Sequence, residues 1–181
     1  SRPIHICYCH TPPRYLYGYQ TAIDWKKWWL VRVYAAIVNH FMRLYDWNAA
    51  QKVDWFIANS REVAGRIKKF YRRDATVIYP PVELEVPKAG KVPKVSKEYY
   101  LVVSRIVGGK GLELAVEAAN KLKAPLKVVG SPAGYSGTYE ELKKKAGPTV
   151  EFLGFVEDNE LAELYAGAKA FLALARDEDF G

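Results

Sequence analysis

The chain has 181 residues, half of them hydrophobic and 14% aromatic, enough for one ordinary domain or parts of two with a real core. Its formal charge of +7 suits phosphates, anionic lipid or nucleic acid as partners, with a solvated basic face as the alternative. No apolar run is long enough to span a bilayer, no cleavable signal pattern opens the chain, and two cysteines one residue apart cannot staple a fold, which fits a reducing, intracellular setting.

Residues 4–9 read as a strand, inside the stretch "HICYCHTPPRY". His5, Cys7 and Cys9 then face one way, and Ile4, Ile6 and Tyr8 the other. A zinc site draws ligands from two separated pairs, whereas His5, Cys7, Cys9 and His10 crowd together and His40 is the one other histidine. The cysteine spacing is not that of a thioredoxin motif. Two small cysteines packed in a buried strand is the reading these residues support. His10 then emerges at the strand's end with Thr11 and Arg14 nearby, where a pocket would lie.

Residues 21–51 read as one or two helices, with an apolar stripe of Leu30, Tyr34, Ile37, Phe41 and Leu44. Ahead of it, Trp25, Lys26, Lys27, Trp28 and Trp29 interleave aromatic and basic side chains. That pairing suits the headgroup level of an anionic membrane, and tryptophans of a core or interface are the alternative. "VDWFIA", residues 53–58, is a strand. Asn59 or Ser60 caps a helix through Tyr71, with Glu62 in its first turn. Its buried face is Val63, Ile67 and Phe70, and Arg66, Lys68, Lys69, Arg72 and Arg73 lie around the rest. Residues 76–82, "TVIYPPV", form a strand stopped by prolines. Residues 83–97, rich in Pro, Lys and Val and without period, read as a linker or a surface crossing.

The remainder alternates regularly. Strands at 99–104, 125–129, 150–153 and 170–174 are separated by helices at 110–123, 138–146 and 159–168. Such alternation predicts a parallel sheet with crossover helices, and hence an α/β fold. Ligands of such sheets sit at the carboxyl ends of the strands. The loops to watch are therefore 105–110, 130–137, 154–158 and 175–181.

"SRIVGGKG" follows a strand and opens a helix. It combines Arg105, flexible Gly108 and Gly109, Lys110 and the positive end of a helix dipole, which suits a diphosphate, with a plain strand-to-helix turn as the alternative. Arg can grip two oxygens and Lys can place a point charge. The loop lacks the Ser or Thr of a Walker A motif, and Leu114 stands where a dinucleotide fingerprint needs its third glycine. "ARDEDFG" ends the chain with Asp177, Glu178 and Asp179 beside Phe180 and Gly181. These acids could bind sugar hydroxyls or a metal, or form a solvated acidic turn.

Taken in order, "YCHTPPRYLY", "FIANSREVAGRIKKFY", "VIYPPVE", "YYLVVSRIVGGKGLELAVEAANKL", "LKVVG", "VEFLGFVEDNELAELYAGAKAFL" and "DEDFG" resemble the GT4 glycosyltransferases of GT-B fold, with the flavour of WbaZ-like mannosyltransferases of polysaccharide assembly. The resemblance implies parts of two Rossmann-like domains with parallel sheets. Residues 1–84 would be the acceptor-side domain, 85–98 a linker, and 99–181 the nucleotide-sugar domain. It implies retaining transfer of a hexose, mannose at the family level, from a nucleoside-diphosphate sugar such as GDP-mannose to a glycan or lipid-linked acceptor. No metal or other cofactor is implied. Arg105 and Lys110 match the diphosphate-binding pair. His10 and Glu178 match the catalytic histidine and the first acid of the E-x7-E motif. Asp179, Phe180 and Gly181 match the loop touching sugar hydroxyls, and Gly130, Phe155 and Val156 the nucleotide site.

The departures are Gly111 where family members often carry a bulky residue, "VVGSPAG" in place of a Gly-Asp-Gly loop, and no second glutamate before the chain stops. The chain is thus expected to be an internal fragment lacking both ends, and a nucleotide-binding piece without turnover is one alternative. A second is a basic nucleic-acid-binding module, supported by the charge and by Trp25, Trp28 and Trp29. No familiar nucleic-acid motif is present, so nucleic acid is not expected as a partner. The expected location is cytoplasmic, with peripheral contact on the inner face of the cell membrane.

Overall fold

Parallel strands need crossover connections, and the alternation of short apolar runs with helical stretches supplies them. The computed structural model describes residues 2–21, 28–81, 98–132, 134 and 136–180. Two compact units result: Ser1–Glu83 with Asp177–Gly181, and Leu84–Arg176. Each is built on its own parallel sheet, so the class is α/β as expected. Trp25, Lys26, Lys27, Gly181 and nearly all of the expected linker 85–98 lie outside the described residues. The closing residues Asp177–Gly181 group with the first unit, whereas the sequence reading put them in the second.

The first unit runs β1 (Ile6–Cys9), α1 (Trp29–Gln51), β2 (Trp55–Ala58), α2 (Arg61–Tyr71) and β3 (Ala75–Val77), with sheet order β1-β2-β3. Register puts Cys7 opposite Phe56 and Cys9 opposite Ala58. That face packs on Val63, Ile67 and Tyr71 of α2 and on Ala50 and Val53. The alternation read for the first strand therefore holds, with the cysteines turned inward. Ile6, Tyr8 and Trp55 stand exposed on the opposite face. Ser60 caps α2, its Oγ accepting from the Val63 N–H at 3.1 Å. β3 stops at Val77, well before the prolines expected to stop it. On α1 the stripe Leu30, Tyr34, Ile37, Phe41 and Leu44 has helical spacing, but each of these side chains is exposed, as are Trp28 and Trp29. Ala50 is the buried residue of that helix.

The second unit runs β4 (Tyr99–Val103), α3 (Leu112–Leu122), β5 (Leu126–Val129), α4 (Ser136–Lys145), β6 (Val150–Gly154), α5 (Asp158–Gly167) and β7 (Ala168–Phe171). Its order is β6-β5-β4-β7, all parallel. One core joins Val102, Leu126 and Val128 to Leu112, Val116 and Leu142 of α3 and α4. A second core joins Leu101, Val129 and Val156 to Leu164 of α5. Both faces are covered, which explains why these strands read as nearly continuous apolar runs. The last strand begins two residues earlier than its sequence suggests, and α3 begins at Leu112 rather than Lys110. The reason at α3 is Gly111, whose left-handed φ of 71° ends the loop and starts the helix.

Candidate functional site

In the second unit the chain runs outward from β4 through β5 and β6, then returns to place β7 on β4's other side. The order therefore reverses beside β4. In open parallel sheets a crevice forms at that point, outside the carboxyl ends of the strands. The loop that follows β4 at that point is 104–111. Ile106 and Val107 are buried and anchor the loop, while Arg105 between them and the strand is exposed. Two backbone bonds tie it to the β5 loop: Ser104 N–H to Val129 O at 3.0 Å, and Ile106 N–H to Ser131 O at 2.9 Å. Gly109 and Gly111 both have positive φ, 85° and 71°. Gly111 offers no side chain to cap α3. Glu113 answers part of the dipole. Lys110 is half-buried beside this turn. Exposed Arg105, Lys110 and a helix end without a side-chain cap together suit a bound anion.

Gly130 carries a φ of 138°, and a Cβ there would overlap the carbonyl oxygen of Ser104. Its N–H donates to Gly154 O at 2.7 Å. Loop packing alone thus requires glycine at this position. Phe155 and Val156 part company. Phe155 is 77% exposed at the end of β6, an aromatic face open to stacking, while Val156 is buried in the core with Leu101 and Leu164.

In the first unit the carboxyl ends of the three strands deliver His10 and Thr11, Asn59 and Ser60, and Ile78 and Tyr79. His10 is exposed, its ring edge-on to Tyr8 at 5.3 Å, and Pro12 behind it is fully buried. The Tyr8 hydroxyl donates to Ile78 O at 3.1 Å. Asn59 is buried, and its Oδ1 has no hydrogen-bond partner among the described residues.

Arg66 departs from the sequence reading. The sequence reading set it outside the buried face of α2, yet it is 2% exposed. Its guanidinium pairs with the Asp179 carboxylate, and its Nε meets Glu62 Oε1 at 3.2 Å. It also donates to Thr11 Oγ1 at 3.2 Å and to the carbonyls of Asp177 and Glu178 at 3.1 and 3.4 Å. The same group lies 4.2 Å over the Tyr19 ring. Arg14 adds a second cation, 2.8 Å from Asp179 Oδ2 and 2.6 Å from the Asp177 carbonyl. The Ser60 hydroxyl donates to the Asp179 carbonyl. The signal was in the spacing: Arg66 is three residues after Val63 and beside Ile67, on the inward face.

Of the expected site residues, His10, Glu178, Asp179 and Phe180 thus belong to the first unit, and Arg105, Lys110, Gly130, Phe155 and Val156 to the second. Asp179 is committed to two arginines. Phe180 lies 6.1 Å from the Tyr79 ring. Among the described residues no group of three or more His, Cys, Asp or Glu side chains is placed to hold a metal ion.

The family model for Glycosyl transferases group 1 matches residues 87–181, just over half of the chain. No curated protein matches it. Among solved structures, AviGT4, a glycosyltransferase involved in avilamycin A biosynthesis, is similar at 26% identity with a TM-score of 0.54, over 67% of this chain and 35% of that one. Anabaena HepE, solved with UDP and glucose, is similar at 19% identity and 0.54, over 78% and 48%. The pneumococcal O-GlcNAc transferase GtfA, solved with UDP and GlcNAc, is similar at 21% and 0.51, over 76% and 28%. The chain therefore spans between 28% and 48% of the length of these structures. Their likeness bears out the α/β, GT-B-type fold read from the sequence.

Proposed function

The chain belongs to the Glycosyl transferases group 1 family, and on that premise we propose that its protein transfers a hexose, mannose, from a nucleoside-diphosphate sugar to a glycan or lipid-linked acceptor with retention. The observation that carries this reading is the 104–111 loop. It sets Arg105 and Lys110 beside the start of α3, where the strand order reverses.

Departure of a nucleoside diphosphate builds negative charge on the β-phosphate and positive charge on the sugar ring. Fixed cations and helix amides stabilise the first without reorganising, because they already point where charge develops. In this reading Arg105 grips two phosphate oxygens and Lys110 places a single charge. Phe155 offers its exposed face to the base. His10 and Glu178 act on the sugar side, and the acceptor attacks from the face the leaving group vacates.

The test is calorimetry of the full-length protein with GDP, UDP and ADP, followed by transfer assays with GDP-mannose. UDP-sugars are the second arm, since two of the similar structures hold UDP. Tight GDP binding with mannose transfer supports the reading. Binding without transfer from any nucleotide sugar leaves a nucleotide-binding protein instead. No diphosphate binding at all overturns both.

A second reading concerns location. Among the described residues no helix is long and apolar enough to cross a membrane. The exposed Trp28, Trp29, Tyr34 and Phe41 of the α1 region, with Arg32 among them, favour peripheral contact with an anionic bilayer. A lipid-linked acceptor would then be met where it resides.

A further inference from the structure

We propose that Arg66 is the positioning residue of the acidic segment 177–180, and that Asp179 is its anchor rather than a ligand of the sugar. The inference rests on the transferase reading for its catalytic consequence alone. Three observations converge on it.

The first is where the contacts of Arg66 go. Besides the Asp179 carboxylate, its guanidinium donates to the backbone carbonyls of Asp177 and Glu178. A side chain that merely stabilised α2 would have no use for these. A buried ion pair is seldom better for stability than apolar residues of the same volume. An arginine here gives geometry: a planar fork that fixes two carbonyls and a carboxylate at once.

The second is convergence of independent elements on the same segment. Arg14 from the loop after β1 reaches Asp179 and the Asp177 carbonyl, Ser60 from the cap of α2 reaches the Asp179 carbonyl, and the Gln20 N–H donates to Asp177 Oδ2 at 3.1 Å. Thr11 and Tyr19 hold the Arg66 guanidinium itself from two sides.

The third is backbone strain. Asp177 is left-handed, with a φ of 54°, in a residue that carries a Cβ. Such a conformation is unfavourable for a residue with a Cβ and persists where surrounding contacts over-determine it. Here three hydrogen bonds do so, from Arg14, Gln20 and Arg66. With Asp177 twisted and Asp179 engaged by two arginines, Glu178 between them is set by the same clamp. A misplaced acid costs rate rather than nucleotide affinity.

The experiment compares Arg66→Met, Arg66→Lys and Asp179→Asn in the full-length protein. Hydrogen exchange of the peptide spanning 172–181, global unfolding, nucleoside-diphosphate affinity and transfer rate are measured together. Expected for Arg66→Met and Asp179→Asn is faster exchange confined to that peptide, with kcat down on the order of tenfold to a hundredfold. Diphosphate affinity should stay within about threefold, since the 104–111 loop is untouched. Arg66→Lys should recover part of kcat, and the double variant Arg66→Met with Asp179→Asn should be no worse than the poorer single. Unchanged local exchange in both Arg66→Met and Asp179→Asn overturns the proposal. So does faster exchange across the whole chain in step with lost stability. If Arg66→Met does not fold, Asp179→Asn decides by the same criteria. If the protein transfers no sugar, the transferase reading fails, and the exchange data still decide the positioning role.

Discussion

Gly111 and Leu174 touch so closely that a Cβ on the glycine would strike the Leu174 carbonyl oxygen and lie 2.7 Å from its Cβ. Lys110, Gly111 and the start of α3 therefore owe their place to the segment after β7, which the Arg176 N–H to Gly109 O bond of 3.2 Å also holds. Gly111→Ala adds a left-handed alanine and a backbone collision. The expected cost is about 1–3 kcal/mol of stability, with weaker nucleoside-diphosphate binding. Denaturant melts and calorimetry on the same variant check it, and a fully stable variant of native affinity would refute the packing argument.

Arg105 and Lys110 are predicted to carry the diphosphate. An ionic contact of this kind is worth about 1.5–3 kcal/mol. Arg105→Ala should weaken GDP or UDP about tenfold or more, and Lys110→Ala should act in the same direction. Native affinity in both variants would remove the loop from the site.

His10 stands exposed at the end of β1, held in place by buried Pro12 and the Tyr8 ring. Since its expected partner is the sugar, His10→Ala should lower kcat far more than nucleotide affinity. Parallel loss of both would make it a structural histidine. One equivalent of zinc per chain by elemental analysis would reopen a metal role for "HICYCH".

Burial pushes the Cys9 thiol up to about 12, with Cys7, Asp46 and Asp179 adding to the effect. Burial raises Cys7 as well. A folded-state value above the unfolded 9.0 means that stability is fully present below about 9 and is lost as pH rises toward 12. Tyr17, which donates to Asp46 at 2.7 Å, and Tyr71 are shifted upward too, chiefly by burial, and add to the loss above 10. The urea midpoint should therefore fall steadily above about pH 9, less so in Cys9→Ala between 9 and 10. Iodoacetamide at about pH 8 should label Cys9 slowly in the folded protein and quickly in urea.

For the membrane reading, the full-length protein should sediment with anionic vesicles at low salt and leave them at high salt, since surface attraction is screened within about 10 Å at 0.1 M. Replacing Trp28 and Trp29 by serine should reduce the bound fraction. Sedimentation indifferent to lipid charge would count against this location.

Most of the architecture was legible because it follows from local rules. Short apolar runs and helical spacing placed most strands and helices within two residues, the exceptions being the start of α1 and the ends of β3 and β7, and the inward cysteines of β1 followed from alternation. Arg105, Gly109 and Lys110 were legible for the same reason, because a strand-to-helix turn is a local object. Two things were not. The stripe of α1 was legible as a stripe, but a helical period says which side is apolar and nothing about what covers it, and these side chains stand exposed. Arg66 was set outside the buried face of α2 with the other basic residues, although its spacing from Val63 put it inside. Its partners, Asp179 and the carbonyls of Asp177 and Glu178, lie more than a hundred residues further along the chain. A charge can be buried when the fold brings it an opposite charge and acceptors for its remaining donors. The sequence by itself determined most of the strands and helices and the strand-to-helix turn that carries Arg105 and Lys110; only tertiary structure decided that Arg66 is buried and that Asp179 is bound to it, because no local pattern reports a partner so distant in sequence.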